Sequence, residues 1–480
     1  MIEEVVEKAL DAAEAAQEKW ASVVPRKRLA SVGQIAERIA FAPGPLIKSL
    51  HRPNATTADK IASEILPLAD ACRFAKKVGR QLLAPRNLRL NRAWWIGRTS
   101  VTTMREPWGT VLILGPSNYP LLLPGVQAVQ AIAAGNAVVV KPAPGCVEIM
   151  ECLKHYLVGA GVPGDLLQVL PADVEAGQEA IRQGVDKVVL TGSVPTGRAV
   201  MRQVAETLTP ATLELGGCDA VFVLPQAELD KAAAAVAYGL CLNGGATCIA
   251  PRRVFVSHRE IDEFKKLFLE QIQQRAQEKF EVEPRAFERA RKAIDESLNQ
   301  GAELLAGELP QERYVSKMKP IVLGGVLPTM KVAQSDLFVP ITSLIEYDDV
   351  TAAVESDREC PYSLGASIFG PKTSADHWAS RIEAGCITIN DLIVPTADPR
   401  VAFGGFDQSG WGVTRGADGL LEMTRAKTVC TRKGNWMPHL DREKSQDSET
   451  LLDLLKFFHG DSIKTSFASL QNIIRRSRGK

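Results

Sequence analysis

Residues 243–253 read Asn-Gly-Gly-Ala-Thr-Cys-Ile-Ala-Pro-Arg-Arg and place a single thiol, Cys248, among small side chains. The two glycines of this stretch carry no side chains, so a ligand can approach the thiol closely from that side. Residues 253–256 are rich in β-type residues, which predicts that a strand follows the thiol. A lone cysteine is more often a small buried hydrophobe than a nucleophile, so Cys248 by itself indicates little.

A carboxylate lies 34 residues upstream, in the stretch Leu213-Glu214-Leu215-Gly216-Gly217. Glu214 stands inside an apolar run, which predicts partial burial, and a partly buried carboxylate has the character of a general base. A thiol nucleophile together with such a base is the minimum for forming a thioester and then hydrolysing it. The pair therefore forms a chemical hypothesis that neither residue supports alone.

The composition is that of an ordinary globular protein. The chain has 480 residues, of which 45% are hydrophobic and 24% charged, and its length allows about three domains. The net charge of +1 provides no field that would favour nucleic acid or an anionic membrane. We therefore expect no nucleic-acid partner and a sizeable apolar core.

The cysteines and the termini indicate the compartment. The nine cysteines are odd in number and scattered without a CxxC pair, which predicts neither a disulfide framework nor a zinc site. The N-terminus is acidic without an apolar signal region, and no stretch approaches the ~20 apolar residues of a membrane span. We expect a cytoplasmic protein that holds no metal.

Apolar strands alternate with helical patterns after residue 105. Helices are predicted over residues 3–40, with a break near Pro25, and over residues 56–84. Short apolar runs then follow at 109–114, 137–141, 167–170 and 187–190, with helical patterns between them. This alternation predicts a doubly wound, parallel α/β sheet.

Ligands of such sheets bind outside the carboxyl ends of the strands, where Asn118, Lys141 and residues 191–193 fall. Thr191-Gly192-Ser193 opens a predicted helix, and a helix N-terminus is a ready anion site. Taken alone, this tripeptide is more often a plain N-cap. The chain has no GxGxxG fingerprint, so an ordinary dinucleotide fold is only weakly indicated.

The α/β pattern begins again after Cys248, with a strand near Val254 and a helix predicted over residues 260–279. This predicts a second α/β domain that carries the thiol. The tail differs: residues 441–450 are charged and predicted to be loose, and residues 451–458 are strongly apolar. Peripheral membrane contact and packing of a helix on its own domain are both open for this tail, and the second is favoured.

Together these motifs resemble the aldehyde dehydrogenase superfamily over roughly residues 5–432, and three segments are similar to its class 3 branch. The resemblance implies two doubly wound α/β domains and a small β-ribbon for oligomerisation, in a homodimer. The implied segments are 1–84 and 106–213 for the dinucleotide, 214–412 for catalysis, 85–105 and 421–433 for the ribbon, and 434–480 for a partly helical tail.

The resemblance also implies NAD(P)-dependent oxidation of an aldehyde to a carboxylic acid. Cys248 would attack the carbonyl carbon, and the Asn118 amide with the Cys248 backbone N–H would stabilise the oxyanion. Glu214 would activate the water that hydrolyses the thioester. No histidine lies in these motifs, so a Cys–His dyad of the protease type is not indicated.

For the cofactor, NAD or NADP, the resemblance implies a set of binding residues. These are Pro116, Lys141, Gly192, Ser193, Asp336 and Phe338. Lys141 would bind the adenosine ribose and Ser193 the pyrophosphate. Asp336 would hold the nicotinamide ribose, and Phe338 would pack near the nicotinamide ring.

The sequence departs from the family pattern mainly near the cofactor. Asp336 stands where the family usually has Glu, Val339 replaces a usual Gly, and Cys218 replaces a usual Lys. Ala246 replaces a usual Gln. Pro144 sits where a carboxylate commonly meets the adenosine 2′-hydroxyl, and its absence removes a repulsion toward the 2′-phosphate of NADP.

Two other functions stay open at this point. An acylating dehydrogenase would pass the thioester to coenzyme A, but such enzymes generally lack the glutamate base that Glu214 provides. A catalytically idle relative would serve as a binding or scaffold protein, and the changes at Asp336, Val339 and Cys218 motivate that alternative.

Overall fold

The computed structural model describes residues 2–89, 96, 98–275, 279–310, 315–435, 437–440 and 447–478. It divides into two compact units, of which the larger comprises Met1–Ala84 with Met104–Lys427. The smaller unit comprises Pro85–Thr103 with Thr428–Lys480. Both large parallel sheets and every residue of the candidate site belong to the larger unit.

The helices of the described chain alternate with strands through most of its length. They are α1 (Ile2–Ala21), α2 (Pro25–Phe41), α3 (Gly44–Ser49), α4 (Thr57–Lys60), α5 (Leu66–Leu82), α6 (Leu122–Ala134), α7 (Val147–Gly159), α8 (Val174–Gln183), α9 (Val194–Thr207), α10 (Leu229–Cys241), α11 (Ile261–Arg275), α12 (Pro284–Asn299), α13 (Val350–Asp357), α14 (Lys372–Ala379), α15 (Gly416–Glu422), α16 (Asp447–His459) and α17 (Ile463–Arg478). A π-helical turn, Ile61–Ile65, joins α4 to α5.

The strands fall into two large sheets and three small ones. They are β1 (Arg86–Leu88), β2 (Thr99–Pro107), β3 (Thr110–Leu114), β4 (Ala137–Lys141), β5 (Leu167–Val169), β6 (Lys187–Thr191), β7 (Ala211–Glu214), β8 (Asp219–Val223), β9 (Pro251–Ser257), β10 (Phe280–Glu281), β11 (Glu303–Ala306), β12 (Lys317–Met318), β13 (Ile321–Gly324), β14 (Ile341–Tyr347), β15 (Tyr362–Ser363), β16 (Gly365–Phe369), β17 (Cys386–Ile389), β18 (Phe406–Asp407), β19 (Gly410–Trp411) and β20 (Thr424–Arg432).

The first large sheet has six strands in the order β19-β7-β6-β3-β4-β5. All pairs are parallel except β19 with β7. Leu112, Val139 and Val188 lie on adjacent strands and are fully buried, as continuous apolar runs predict for strands that are covered on both faces. Burying each such side chain contributes about 1.5–3 kcal/mol. The predicted parallel α/β sheet is confirmed.

The second large sheet has seven strands in the order β11-β13-β14-β9-β8-β16-β17. Only β11 is antiparallel to its neighbour, and β9 lies at the centre. The loop that carries Cys248 leads directly into β9, so the buried strand anchors the thiol. A second α/β sheet is therefore confirmed as well, and α11 (Ile261–Arg275) lies within the helix predicted over residues 260–279, of which residues 276–278 are outside the described chain.

The smaller unit holds most of a three-stranded sheet, ordered β1-β2-β20, and the hairpin of α16 and α17. Arg476 in α17 pairs with the buried Asp453 of α16 at 2.7 Å, which ties the two helices together. The prediction of a loose segment at 441–450 is wrong for residues 447–450, which form the first turn of α16. Residues 441–446 and 92–95 lie outside the described chain.

A search of the described helices finds none whose length and apolar character would suffice to span a bilayer.

Candidate active site

The carboxyl edge of the six-stranded sheet gathers several of the predicted site residues. Glu214 is the last residue of β7, and it lies beside Thr191 at the end of β6. Lys141 ends β4 in register with Leu114 of β3, and Asn118 follows β3 by four residues. The parallel topology thus brings to one edge side chains that are far apart in the sequence.

The loop that carries Cys248 comes from the second sheet and turns sharply before it. Asn243, Gly244 and Gly245 have positive φ angles of 52°, 61° and 73°. Glycine adopts this conformation at no steric cost, and asparagine tolerates it better than most residues. Three consecutive left-handed residues bend the chain so that Cys248 meets the loop after Glu214.

The contact between the two loops is close enough to require a glycine. A Cβ atom placed on Gly217 would lie 2.6 Å from the Cys248 carbonyl oxygen, which is closer than real Cβ atoms approach. The glycine pair after Glu214 therefore lets the backbone of the thiol loop pack directly against the end of β7. This packing joins the two sheets at the predicted site.

A cavity of about 820 Å³ runs along this junction. It is lined by the predicted nucleophile, base and oxyanion donor, Cys248, Glu214 and Asn118. Every residue predicted to bind the cofactor lines it too, namely Pro116, Lys141, Gly192, Ser193, Asp336 and Phe338. The volume is in the range of small-molecule and cofactor sites.

Glu214 is a buried carboxylate with one free oxygen. Its side chain is 1% exposed, and its Oε2 accepts a hydrogen bond of 2.7 Å from Thr414 Oγ1. Its Oε1 has no hydrogen-bond partner among the described residues. Burial raises the pKa of Glu214, while Arg415 and the Thr414 hydroxyl oppose the shift. A carboxyl group with a raised pKa and a free oxygen is suited to take a proton from water.

Cys248 is half-buried, and its surroundings disfavour the thiolate in the free protein. Burial raises the pKa of the Cys248 thiol, and the carboxylates of Glu214, Asp219 and Asp336 raise it further. Arg415 lowers it. A thiol that is neutral at rest is protected from adventitious oxidation, since the thiolate is the reactive form.

Asn118 is held in place by the loop that carries Cys248. Its Nδ2 donates to the Ala246 carbonyl at 3.2 Å, and its backbone carbonyl accepts from Asn243 Nδ2 at 3.1 Å. Among the described residues, no group accepts a hydrogen bond from the Cys248 backbone N–H. The second Nδ2 hydrogen of Asn118 and this N–H are therefore two donors without a partner among the described residues.

A buried polar network supports the same loop, and no sequence pattern had indicated it. Arg52 pairs with Glu64 at 3.1 Å, stacks over the Tyr119 ring at 4.6 Å and reaches Asn243 Oδ1 at 3.3 Å. The Tyr119 hydroxyl bonds to Thr247 Oγ1 at 2.8 Å, next to Cys248. Because these residues come from distant segments, local periodicity in the sequence does not predict their contacts.

Arg252 is a second support that the sequence motif contained without a predicted role. Its guanidinium is buried and donates to the carbonyls of Gly245 (2.6 Å) and Val339. It therefore ties the thiol loop to the segment that holds Asp336 and Phe338. Because a backbone carbonyl makes this contact, it can form with Val339 as well as with the glycine that is usual in the family.

The predicted cofactor residues present groups that suit a dinucleotide. Ser193 caps α9 by accepting a hydrogen bond from the Thr196 N–H. Ser193 and Thr196 both line the cavity, so the N-terminus of α9 faces it. Burial lowers the pKa of Lys141, whose Nζ has a long contact of 3.4 Å with the Ala172 carbonyl. Asp336 Oδ1 is buried without a hydrogen-bond partner among the described residues. An unpartnered buried acceptor is suited to a ribose hydroxyl.

The structure shows the surroundings of three residues that depart from the family pattern. Cys218 is buried, and its Sγ lies 3.4 Å from the Ala333 carbonyl, so it packs in the interior. Ala246 contributes its carbonyl to Asn118. Pro144 lines the cavity near Lys141, with no carboxylate of its own. Within the described ranges, no group of three or more metal-binding side chains occurs.

The model of the aldehyde dehydrogenase family matches residues 2–429 of the chain. Among curated proteins, a 4,4'-diapolycopene aldehyde oxidase from Methylomonas sp is 28% identical over 420 residues, which is 84% of this chain and 77% of that protein. The family match over residues 2–429 thus includes both large sheets and all the predicted site residues.

Solved structures give the same result. An aldehyde dehydrogenase from Mycobacterium tuberculosis, complexed with NAD+, is 25% identical with a TM-score of 0.80, and the match covers 88% of this chain and 89% of that one. An NADP-dependent glyceraldehyde-3-phosphate dehydrogenase from Bacillus halodurans, complexed with NADP, is 26% identical with a TM-score of 0.81, covering 90% and 91%. The fold is therefore shared over nearly the whole length.

Proposed function

The chain belongs to the aldehyde dehydrogenase family, and we propose that it oxidises an aldehyde to a carboxylic acid through a thioester on Cys248. The observation that carries the proposal is the single cavity that Cys248, Glu214 and Asn118 line together with the cofactor residues. Glu214 also supports hydrolysis of the thioester over its transfer to coenzyme A, because a base is present beside the thiol.

The first step is addition of Cys248 to the aldehyde. The thiol gives up its proton to water, its sulfur forms a bond to the carbonyl carbon, and the carbonyl π electrons move to oxygen. The Asn118 amide and the Cys248 backbone N–H donate to this oxyanion. One such donor typically contributes about 3–4 kcal/mol to the transition state.

Bound NAD or NADP supplies the acceptor for the hydride that leaves the former carbonyl carbon. Loss of that hydride would leave Cys248 bonded to the acyl carbon as a thioester. Glu214 then takes a proton from water, the hydroxide adds to the thioester, and the Cys248 thiolate departs. The products are the carboxylic acid, the reduced cofactor and one proton.

We propose that the six-stranded sheet holds the cofactor and the seven-stranded sheet presents the thiol. Lys141 would bind the adenosine ribose, the start of α9 at Gly192 and Ser193 the pyrophosphate, and Asp336 the nicotinamide ribose. Pro116 and Phe338 would contact the nicotinamide end. Pro144 brings no carboxylate toward the 2′-position, so we propose that NAD and NADP are both accepted.

Dinucleotide binding should depend on pH through Asp336. Burial raises the pKa of Asp336 to about 6 in the free protein, so its carboxylate is present above that pH and is lost as the pH falls through it. We expect the affinity for NAD or NADP to be about tenfold lower at pH 5 than at pH 7.5, because the charged acceptor is lost. Isothermal titration across this range measures the effect. In Asp336→Asn the affinity for NAD or NADP should no longer change with pH over this range. An unchanged pH dependence in that variant would contradict the assignment of Asp336.

Replacing Asn118 by alanine should lower kcat by about 10²–10³ with a smaller change in KM, since one oxyanion donor is lost. Steady-state kinetics at saturating cofactor measures this. Asn118 also contacts Ala246, so the rate at which iodoacetamide alkylates Cys248 serves as the control. An unchanged kcat, or a parallel loss of alkylation, would show that Asn118 does not act on the oxyanion.

The proposed activity is tested with a panel of aliphatic and aromatic aldehydes and with NAD and NADP, following reduced nicotinamide. We expect turnover with at least one aldehyde, at a rate that coenzyme A does not increase. A rate that rises with coenzyme A, and an acyl-coenzyme A product, would favour the acylating alternative. Failure to bind either dinucleotide in titration would favour a scaffold role.

We also propose that the chain forms a homodimer through the ribbon of residues 85–105 and 421–433. Among the described strands of its sheet, β20 lies at the edge, and seven of its nine residues are exposed. Exposed edge strands invite pairing with another strand. Light scattering should give twice the chain mass, and Val429→Lys on β20 should weaken the assembly. A monomer at micromolar concentration would contradict this proposal.

A further inference from the structure

One cation beside the candidate site has no role in the steps above. Arg415 lies in a turn between Gly412 and Gly416, whose φ angles are 83° and 71°. Its Nη1 donates to the Thr396 carbonyl at 2.9 Å, and its guanidinium stacks over the Phe403 ring at 4.2 Å. These two contacts fix its position, while its buried Nε has no hydrogen-bond partner within the described ranges.

Arg415 forms no ion pair within 4.0 Å with any carboxylate of the described residues. Arg415 is partly shielded from water and its Nε is buried, and a shielded guanidinium is commonly paired because the desolvation free energy of an unpaired charge is large. The neutral Thr396 carbonyl and the face of Phe403 offset only part of it. The direct contacts of Arg415 therefore do not explain why a charged side chain occupies this position.

The field of Arg415 falls on the two reacting groups. Burial lowers the pKa of Arg415, and the negative charges of Glu214, Cys248 and Cys386 oppose that shift. The residue before it, Thr414, donates its hydroxyl to Glu214 Oε2. Within this turn, Thr414 therefore donates a hydrogen bond to the Glu214 carboxylate, and Arg415 places a positive charge near it.

The other charges around Cys248 act in the opposite direction. Glu214 at the end of β7, Asp219 at the start of β8 and Asp336 before β14 are all acidic and oppose a thiolate. Arg415 favours one. Two cations, Arg415 and the buried Arg252, offset these three carboxylates at the thiol.

We propose that Arg415 is a positioning residue whose charge stabilises the Cys248 thiolate and the ionised Glu214 during aldehyde oxidation. It holds no substrate and transfers no proton. The role in oxidation rests on the proposed function, whereas the effect on the thiol can be measured without any turnover.

The test compares Arg415→Gln and Arg415→Lys with the unaltered protein, using iodoacetamide as the probe. The alkylation rate of Cys248 is followed by mass spectrometry of its tryptic peptide at several pH values. Below the pKa of the thiol, removing the charge should slow alkylation about tenfold at each pH. Arg415→Lys should stay within about threefold of the unaltered protein, because the cation is kept. The exposed Cys430 in the same samples is the internal reference.

A rate in Arg415→Gln equal to that of the unaltered protein would overturn the proposal. So would an equal loss in folded Arg415→Gln and Arg415→Lys, since that pattern reports lost contacts with Thr396 and Phe403. Thermal unfolding verifies folding, and Arg415→Met, which keeps the apolar stem, replaces Arg415→Gln if the latter does not fold.

Turnover supplies a second and separate measurement. Arg415→Gln should lower kcat more than KM and move the acidic limb of the kcat profile to higher pH, because Glu214 becomes harder to ionise. If the unaltered protein oxidises no aldehyde, the proposed function fails while the alkylation comparison still decides the role of Arg415. If turnover is present and alkylation is unaffected, only the role of Arg415 fails.

Discussion

Replacement of Cys248 by alanine is expected to lower kcat/KM for aldehyde oxidation by a factor on the order of at least 10³, because no covalent intermediate can form. The other groups of the cavity remain, so the affinity for the dinucleotide should change little. Initial rates of nicotinamide reduction measure the loss, and titration with NAD or NADP measures the retained binding. The half-buried position of Cys248 predicts little loss of stability.

The matched control for this variant is Cys430→Ala, which removes an exposed thiol from β20. We expect it to retain the activity of the unaltered protein, because Cys430 is outside the cavity. Turnover that survives in Cys248→Ala would refute the nucleophile. A loss of dinucleotide binding together with activity would instead indicate that the thiol loop is needed for the shape of the cavity.

Replacement of Glu214 by glutamine is expected to lower steady-state kcat about 10²–10⁴-fold, the usual range for a lost general base. The amide can still accept the hydrogen bond from Thr414, so the local structure should persist. Formation of the thioester needs no base at this position. A rapid burst of about one reduced nicotinamide per site should therefore remain, followed by a slow steady rate.

Stopped-flow absorbance separates these two phases. Glu346→Gln, which alters an exposed carboxylate on β14, is the matched control and should show the full steady rate. Loss of the burst in Glu214→Gln would place the residue before the thioester in the reaction. An undiminished steady rate would mean that another group activates the water.

Local patterns in the sequence were sufficient for the fold. In the six-stranded sheet, the central strands β3, β4 and β6 are five residues long with continuous apolar centres, and such runs are typical of strands buried on both faces. Among the helices between them, α9 begins at a side-chain cap, Ser193, whereas the N-caps of α6, α7 and α8 make no side-chain hydrogen bond. Because each element was consistent with its neighbours, the parallel α/β arrangement followed from the chain order.

The supports of the site could not be found in this way. Arg52 and Glu64 come from the N-terminal region, and Asn243, which Arg52 contacts, lies 191 residues later. Their interaction depends on the packing of the N-terminal helices near the junction of the two sheets, which no local period encodes. Thr414 and Arg415 come four and five residues after Gly410, the end of a glycine-rich stretch at residues 403–410, but only the folded chain brings Thr414 to Glu214.

The proposed reaction requires that Cys248 carries the acyl group. The direct measurement is the mass of the peptide that contains Cys248, from Glu214→Gln protein quenched after mixing with an aldehyde and the dinucleotide. We predict that this peptide gains the mass of the acyl group minus one hydrogen, in proportion to the burst. Reduced nicotinamide with an unmodified Cys248, or an acyl group on another residue, would contradict the account.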